Sequence, residues 1–326
     1  MTNLMKLRAL VVLAACVLAA VHGTGQLAAQ TPAATAFKLG TFRQASRTFV
    51  GAVVNDTQVI DLGAADPTLP REMKAIIAGY ATLRPKIAAA VSKGARVNVS
   101  TLTVLPPVMP RIILNATLNY QEHANELSKN PGIVSGVSVA DTQMKPGAGV
   151  PGLWTRAAGD TRHNPYFFQK PTTAVIGHGE AIRLPRGRTQ IDAECELTIV
   201  VGRTASYVPV DKANDYIFGY TIQNDVSDRR GRADARHGSD WFVAKGFDTA
   251  APIGPFIVPK EFVPDPQKLA VKLTLNDRVM TNSNTSRMTH NVRELLSFVT
   301  NVTELQPGDM VDTGSPAGGA RRPGCS

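Results

Sequence analysis

Acidic residues alternate with apolar ones in a single stretch of the sequence, residues 191–201. In an extended strand, the spacing of Asp192, Glu194 and Glu196 places their three carboxylates on one face. Surface strands also carry acids of this kind opposite lysines. Here the strand continues into the largely apolar residues 197–201, which favours burial, and buried carboxylates require a cation. Oxygen ligands favour Mg²⁺, Mn²⁺ or Ca²⁺ over zinc.

Two further groups have the chemistry of an acid–base site. Asp225 ends an apolar strand predicted over residues 216–223, where a carboxylate is either a turn cap or another metal ligand. His123 and Glu126 lie three residues apart on a helix predicted over residues 120–128, so the carboxylate can orient the imidazole as a general base. Such a pair on its own is more often structural. Its combination with the acids favours catalysis.

The elements around these residues predict two domains. Alternation over residues 37–60 predicts a hairpin that turns at Asn55–Asp56, and helical spacing predicts a helix over residues 71–91. Prolines at 106, 107 and 110 mark a domain boundary after residue 105. Residues 130–161, rich in Gly, Pro, Ser and Thr, predict a lid that closes over substrate. After the boundary, short strands are predicted at 111–114, 173–176, 182–184, 193–202, 216–224, 256–258 and 269–275, with a late helix at 292–299.

Composition excludes several classes of protein. The 326 residues are 43% hydrophobic, and glycine and proline are scattered without a period, which excludes a disordered, collagen-like or solenoid chain. The net charge of +9 comes without a long basic run or interleaved aromatic residues, so we expect no nucleic-acid partner. The excess of positive charge suits a small anionic substrate instead.

The N-terminal segment is typical of an export signal. Lys6 and Arg8 precede an apolar run over residues 9–21 that is shorter than the roughly 20 residues of a membrane span. We expect residues 1–29 to be a signal peptide and the mature protein to reach a bacterial periplasm without a stable membrane span. A lipoprotein-like sequence ending at Cys16 leaves lipid anchoring as the alternative.

The catalytic half of the sequence resembles the fumarylacetoacetate hydrolase family in order from about residue 110 to residue 318. The matching motifs are Asn119-Tyr120 with His123 and Glu126, Phe168-x-Lys170-Pro171, Asp192-x-Glu194-x-Glu196-Leu197, Asn224-Asp225-Val226-Ser227, Lys245-Gly246-Phe247-Asp248 and Thr313-Gly314-Ser315-Pro316.

This resemblance implies an α+β protein. Its catalytic domain would be a mixed β-roll of the fumarylacetoacetase C-terminal type over residues 106–326, preceded by a small N-terminal α+β domain over residues 30–105, and family members usually form homodimers. It also implies a role for each matching residue. The metal ligands would be Glu194, Glu196 and Asp225, the catalytic groups His123, Glu126 and Lys245, and the substrate-binding groups Arg229, Lys245, Thr313 and Gly314.

The chemistry that the resemblance implies takes place beside a 2-oxo acid. Mg²⁺ or Mn²⁺, with Ca²⁺ as a further option, would act as a Lewis acid and stabilise an enolate. Our first hypothesis is hydrolysis of a C–C bond in an acylpyruvate- or fumarylpyruvate-like substrate. The alternatives are an isomerase, hydratase or decarboxylase of an unsaturated 2-oxo diacid in aromatic catabolism, and a non-catalytic exported binding protein.

The sequence departs from the family pattern at two places. Asp228 and Arg230 flank Arg229 where the family has alanine and aspartate, which alters the charge beside Arg229. Family members also continue past the Thr-Gly-Ser-Pro turn into a closing pair of strands, which the residues after Gly319 are too few to supply. We therefore expect a catalytic domain truncated at its C-terminal end, with lowered stability.

Overall fold

The computed structural model describes residues 35–129, 154, 156–160, 162–229 and 240–319. The predicted signal peptide, Cys16, most of the predicted lid, Arg230 and the residues after Gly319 lie outside the described residues. None of the helices in the described ranges combines the length and the hydropathy needed to cross a bilayer.

Strands outnumber helices in the described part of the chain. The strands are β1 (Lys38–Gln44), β2 (Arg47–Val54), β3 (Gln58–Asp61), β4 (Arg96–Asn98), β5 (Thr103–Leu105), β6 (Ile113–Thr117), β7 (Tyr166–Lys170), β8 (Val175–Ile176), β9 (Ile191–Asp192), β10 (Cys195–Val201), β11 (Ile217–Asn224), β12 (Ser227–Asp228), β13 (Ala251–Pro252), β14 (Val258–Pro259), β15 (Ala270–Leu275), β16 (Arg278–Asn284) and β17 (Met310–Asp312). The helices are α1 (Leu62–Ala65), α2 (Met73–Lys93), α3 (Gln121–Lys129), α4 (Trp241–Lys245) and α5 (Val292–Thr300).

The first sheet is antiparallel, with the strand order β4–β3–β2–β1–β5. The loop from β2 to β3 holds Asn55 and Asp56 at φ of 52° and 59°, a conformation that these two residue types tolerate. Helix α2 packs its buried Ile76, Ile77 and Ile87 into the core of this sheet. The predicted hairpin is therefore confirmed, as is the predicted helix, which begins and ends two residues later than expected.

The second sheet has six strands in the order β14–β11–β10–β17–β6–β7. Strand β17 pairs in parallel with β6 on one side and antiparallel with β10 on the other, and the remaining pairs are antiparallel. The centre of the sheet thus joins three segments that are far apart in sequence. A mixed sheet with few helices agrees with the predicted α+β class.

Each face of this sheet packs into a hydrophobic core. Ile113, Met310 and Val200 lie side by side in register and belong to the core that also contains α2. Ile199 and Val311 point to the opposite face, where they share a core with α5. The sheet is therefore fixed on both sides.

One face of the same sheet changes from apolar to polar along the strands. Two residues beyond the apolar row, Asn115, Asp312 and Thr198 form a second row, fully buried, in which Asn115 Nδ2 donates to Asp312 Oδ2 at 2.9 Å. Two residues beyond Thr198 on the same face is Glu196. This face therefore leads from the hydrophobic core to the acidic residues.

Two predicted strands differ from the structure. Residues 182–184 form no strand, and the Arg183 backbone N–H donates to the Thr249 hydroxyl at 2.7 Å. The strand predicted over residues 193–202 is found as β10 but begins only at Cys195, so the alternating stretch over residues 191–201 is broken between Asp192 and Cys195.

Candidate metal centre and active site

Three carboxylates converge at the end of β10 and β11. Glu194, Glu196 and Asp225 each offer an oxygen atom within 4.8 Å of the others, and we call these three residues the acidic cluster. They are 5%, 3% and 1% exposed. Buried oxygen ligands at this spacing suit a hard divalent cation.

The interruption between β9 and β10 positions Glu194. Its backbone N–H donates to Asn224 Oδ1 at 3.0 Å, and its carbonyl oxygen accepts a hydrogen bond from the Asp225 N–H at 2.9 Å. Asp192 leaves the sheet and pairs with Ser227 in the small β9–β12 ribbon. The three acids therefore do not line one strand face as expected, although all three are buried.

Two cations hold Glu194 in its charged form. Lys245 Nζ lies 2.6 Å from Glu194 Oε2, and Arg229 donates to Glu194 Oε1. Burial raises the pKa of this carboxyl, but Arg229 and Lys245 outweigh it and hold the pKa well below its ordinary value. Arg229 also donates through Nε to Asp192 Oδ2 at 2.8 Å. The predicted substrate-binding Arg229 is thus committed to two carboxylates.

Asp225 is paired with two lysines. Lys170 Nζ lies 2.6 Å from Asp225 Oδ1, and Lys245 donates to Asp225 Oδ2. Lys170 is fully buried, and burial lowers its pKa although Asp225 opposes this. Lys170 lies in one of the family motifs, but nothing in its spacing relates it to Asp225, so the sequence predicts no role for it in the site.

Among the described residues, no lysine or arginine forms an ion pair with Glu196 at salt-bridge distance. Its one hydrogen bond given by the structure is accepted at Oε2 from the Gly314 N–H, at 2.9 Å. Burial, with Asp225 and Asp312 nearby, raises the pKa of Glu196 well above its ordinary value. A bound cation would remove this penalty, so the donor set and its charge fit a divalent metal.

The predicted acid–base pair lies against the acidic cluster. His123 Nδ1 is 3.3 Å from Glu126 Oε2, and His123 Nε2 is 3.6 Å from Glu194 Oε1. The hydrogen bond to His123 lowers the pKa of Glu126. Asn119 fixes the start of α3, because its side-chain amide donates to the carbonyls of His290 and Thr313, each at 2.9 Å. The imidazole is therefore oriented by Glu126 and directed at the site.

The turn after β17 contributes backbone rather than side chains. Gly314, at φ 81°, donates its N–H to Glu196, while the Thr313 hydroxyl donates to the Leu197 carbonyl at 2.9 Å. Of the two residues assigned to substrate, only Gly314 therefore contacts the acidic cluster. Asp228, which departs from the family pattern, is buried and pairs with Arg188.

The charges of the site leave room for a cation and an anion. Burial raises the pKa of Asp312 well above its ordinary value, as it does for Glu196. With the Glu196 carboxyl protonated, three carboxylates face three buried cations among the described residues; they are Asp192, Glu194 and Asp225 against Lys170, Lys245 and Arg229. A divalent ion that replaced the Glu196 proton would leave a net positive charge, which would attract an anionic substrate. The fold and the acidic cluster together fit a metal-dependent enzyme.

Comparison with known proteins gives the family. The model of the fumarylacetoacetate (FAA) hydrolase C-terminal family matches residues 113–325. The bovine mitochondrial oxaloacetate tautomerase FAHD2A is 32% identical over 81% of this chain and 75% of its own length. The chain belongs to the fumarylacetoacetate hydrolase family and is a metal-dependent enzyme of that family.

Solved structures agree with this assignment. Maleylpyruvate hydrolase from Sphingobium sp. SYK-6, in complex with manganese(II) and pyruvate, superposes with a TM-score of 0.64 at 27% identity, over 86% of this chain and 89% of that one. The 5-carboxymethyl-2-hydroxymuconate delta-isomerase from Mycobacterium smegmatis gives a TM-score of 0.62 at 26% identity, over 86% and 88%. The family therefore includes proteins named for hydrolysis, isomerisation and tautomerisation.

Proposed function

We propose that this protein hydrolyses a C–C bond beside a 2-oxo acid, in an acylpyruvate- or fumarylpyruvate-like substrate. The observation that carries the proposal is the position of His123, held by Glu126 on one side and 3.6 Å from the acidic cluster on the other. A base at the border of a cation site can act on a substrate whose 2-oxo acid end lies at the metal. The structure that contains manganese and pyruvate belongs to a family member named for such a hydrolysis.

The acidic cluster would hold Mg²⁺ or Mn²⁺, with Ca²⁺ also compatible with oxygen ligands. When bound there, the ion supplies Lewis acidity at the 2-oxo acid end of the substrate. Lys245 is buried and paired with Glu194 and Asp225, and its third ammonium N–H would be offered to a substrate oxygen. Lys170 and Arg229 hold Asp225 and Glu194 in place through their ion pairs.

His123 performs the proton transfers. It takes a proton from water, whose oxygen bonds to the acyl carbonyl carbon of the substrate. The C–C bond then breaks, and its electron pair passes to the carbon of the departing pyruvate unit. His123 returns its proton to that carbon, which gives a carboxylic acid and pyruvate. Glu126 stabilises the imidazolium between the two transfers.

Tautomerisation of a 2-oxo diacid is the second candidate. It is favoured by the similarity to bovine oxaloacetate tautomerase and by the same histidine, which would carry a proton between carbon and oxygen without attack by water. An isomerase, hydratase or decarboxylase reaction on an unsaturated 2-oxo diacid would also need this proton transfer.

A substrate panel tests these candidates. Acetylpyruvate, fumarylpyruvate and oxaloacetate are each incubated with protein that contains Mg²⁺ or Mn²⁺, and the products are identified by NMR. Release of pyruvate from an acylpyruvate, lost in His123→Ala, supports hydrolysis. Enol–keto exchange of oxaloacetate without release of pyruvate favours the tautomerase. Absence of turnover for every substrate would contradict both.

We further propose that the mature protein is exported and forms a homodimer. The N-terminal sequence supports export, and the usual oligomeric state of family members supports the homodimer. Export is tested by cell fractionation of the producing bacterium and mass spectrometry of the mature N-terminus. A globomycin-treated culture is the control for lipid anchoring at Cys16. Light scattering of the purified protein tests the dimer, and a monomeric mass would contradict it.

A further inference from the structure

The backbone of Gly318 lies between two hydrogen bonds. Its N–H donates to Glu126 Oε2 at 3.1 Å, and its carbonyl oxygen accepts a hydrogen bond from the hydroxyl of Thr281, in β16, at 3.0 Å. Gly318 has φ 99°, and a Cβ at this position would lie 2.3 Å from the carbonyl oxygen of Met280. Only glycine fits so close to β16, so the position of this peptide is set by the strand beside it.

The same oxygen of Glu126 contacts the imidazole. Oε2 receives the Gly318 N–H and lies 3.3 Å from His123 Nδ1, so both contacts act on one atom. The side chain of Glu126 is 36% exposed. A glutamate this open to solvent has several rotamers available, and a fixed backbone donor selects the one that faces His123. Thr281, 3% exposed, thus connects to Glu126 through two hydrogen bonds, and Glu126 in turn contacts His123.

We propose that Thr281 is a positioning residue for the proton transfer, acting through the Gly318 peptide on Glu126 and from there on His123. The proposal rests on the proposed function only in taking His123 as the base. The Thr281 hydroxyl fixes the backbone of Gly318 through its carbonyl oxygen, and the Gly318 N–H fixes the Glu126 carboxylate. The Glu126 carboxylate in turn sets the orientation of the His123 imidazole. The hairpin of β15 and β16 thereby becomes part of the catalytic apparatus, although none of its side chains is assigned to metal or substrate.

The test compares Thr281→Val with Thr281→Ser. Valine keeps the shape of threonine and removes the hydroxyl, whereas serine keeps the hydroxyl and removes the methyl group. We expect Thr281→Val to lower kcat by roughly tenfold, which is the smallest loss typical when a supporting hydrogen bond beside an active site is removed. KM and the Mn²⁺ dissociation constant should not change. Thr281→Ser should keep at least half of the wild-type kcat. Equal losses in both variants, or an unchanged kcat in Thr281→Val, would overturn the proposal.

A spectroscopic measurement makes the result independent of the substrate. The ¹H–¹⁵N correlation of the imidazole rings reports the hydrogen bond at Nδ1, and the His123 signals are assigned by their loss in His123→Gln. Thr281→Val should shift the His123 Nδ1 signal, and Thr281→Ser should leave it in place. An unshifted signal in Thr281→Val contradicts the positioning role even if no substrate of the panel is turned over. A shifted signal together with no turnover contradicts only the proposed function.

Discussion

Replacing Glu194 or Glu196 by glutamine should have unequal effects on the metal-free protein, although the two residues are neighbours in one cluster. Glu194 is paired with Lys245 and Arg229, so Glu194→Gln leaves two buried cations with a neutral partner. Removing one partner of a buried ion pair costs about 3–5 kcal/mol of the free energy of unfolding. Within the described part of the chain, the Gly314 N–H is the hydrogen-bond partner given for Glu196, and the amide oxygen of glutamine can accept that hydrogen bond. Glu196→Gln should therefore cost less than about 1 kcal/mol.

Adding metal should stabilise the wild type but neither variant, and it should leave the difference between the two variants unchanged. In the wild type, a divalent ion at 100 times its dissociation constant stabilises the fold by about 2.7 kcal/mol, and each variant lacks one ligand and should lose this gain. The assay is urea denaturation followed by tryptophan fluorescence, first in EDTA and then with excess Mg²⁺. The exposed Asp211, replaced by asparagine, is the control and should match the wild type in both conditions. Equal destabilisation by both variants in EDTA would refute the account of which carboxylate is neutralised by protein cations.

Four other outcomes follow from the site. His123→Ala should lower kcat by about 10²-fold or more while Mn²⁺ content, measured by elemental analysis, stays at the wild-type level; full activity would make the pair structural. Because the pKa of Glu196 is raised, the bound proton must leave before a metal binds, so the Mn²⁺ dissociation constant should rise about tenfold per pH unit as the pH falls below that pKa. Calorimetry in two buffers of different ionisation enthalpy should detect the released proton, and a pH-independent constant would contradict this. Lys170→Met should lower the free energy of unfolding, measured in urea, by about 3–5 kcal/mol. Metal binding should be weakened by less than this, because Asp225 keeps Lys245 as partner. Asn119→Ala should lower the free energy of unfolding by at least about 3 kcal/mol, because three buried backbone groups at His290 and Thr313 lose their hydrogen-bond partner. Large domains shift in melting temperature by roughly 2–4 °C per kcal/mol, so a melting temperature within about 1 °C of the wild type would contradict this.

The sequence predicted the elements with the clearest local signals. The hairpin at Asn55–Asp56 and the helices at residues 73–93 and 292–300 lie within two residues of their predicted bounds. Each has a periodic apolar pattern with a turn or cap residue at its end, such as Asn291, whose side chain accepts hydrogen bonds from the first turn of α5. The three-residue strand β17 and the five-residue helix α4 are too short to show a period, so they were missed.

The site was predictable as a set of residues but not as a set of contacts. The alternating pattern correctly singled out the acidic residues, but it predicted Asp192 and Glu194 on one strand face. In the structure, Asp192 lies in the separate β9–β12 ribbon and forms an ion pair with Arg229. Lys170 reaches Asp225 across 55 positions of the chain, and no local pattern records a pairing of that kind. The roles of Arg229, Thr313 and Gly314 toward substrate and the boundary after residue 105 stay predictions.

The place of β17 in the sheet has a consequence for the order in which the protein can fold. This strand fills the gap between β6 and β10, and its Asp312 meets Asn115 across 197 positions of the chain. During synthesis, β6, β10 and β11 leave the ribosome long before β17, so the two halves of the sheet wait with open edges. The N-terminal sheet, whose strands lie close in sequence, can form at once. The six-stranded sheet can be completed only after residues 310–312 have been synthesised. We therefore expect slow folding that depends on non-local contacts, with the unpaired strand edges needing protection from aggregation until β17 is in place.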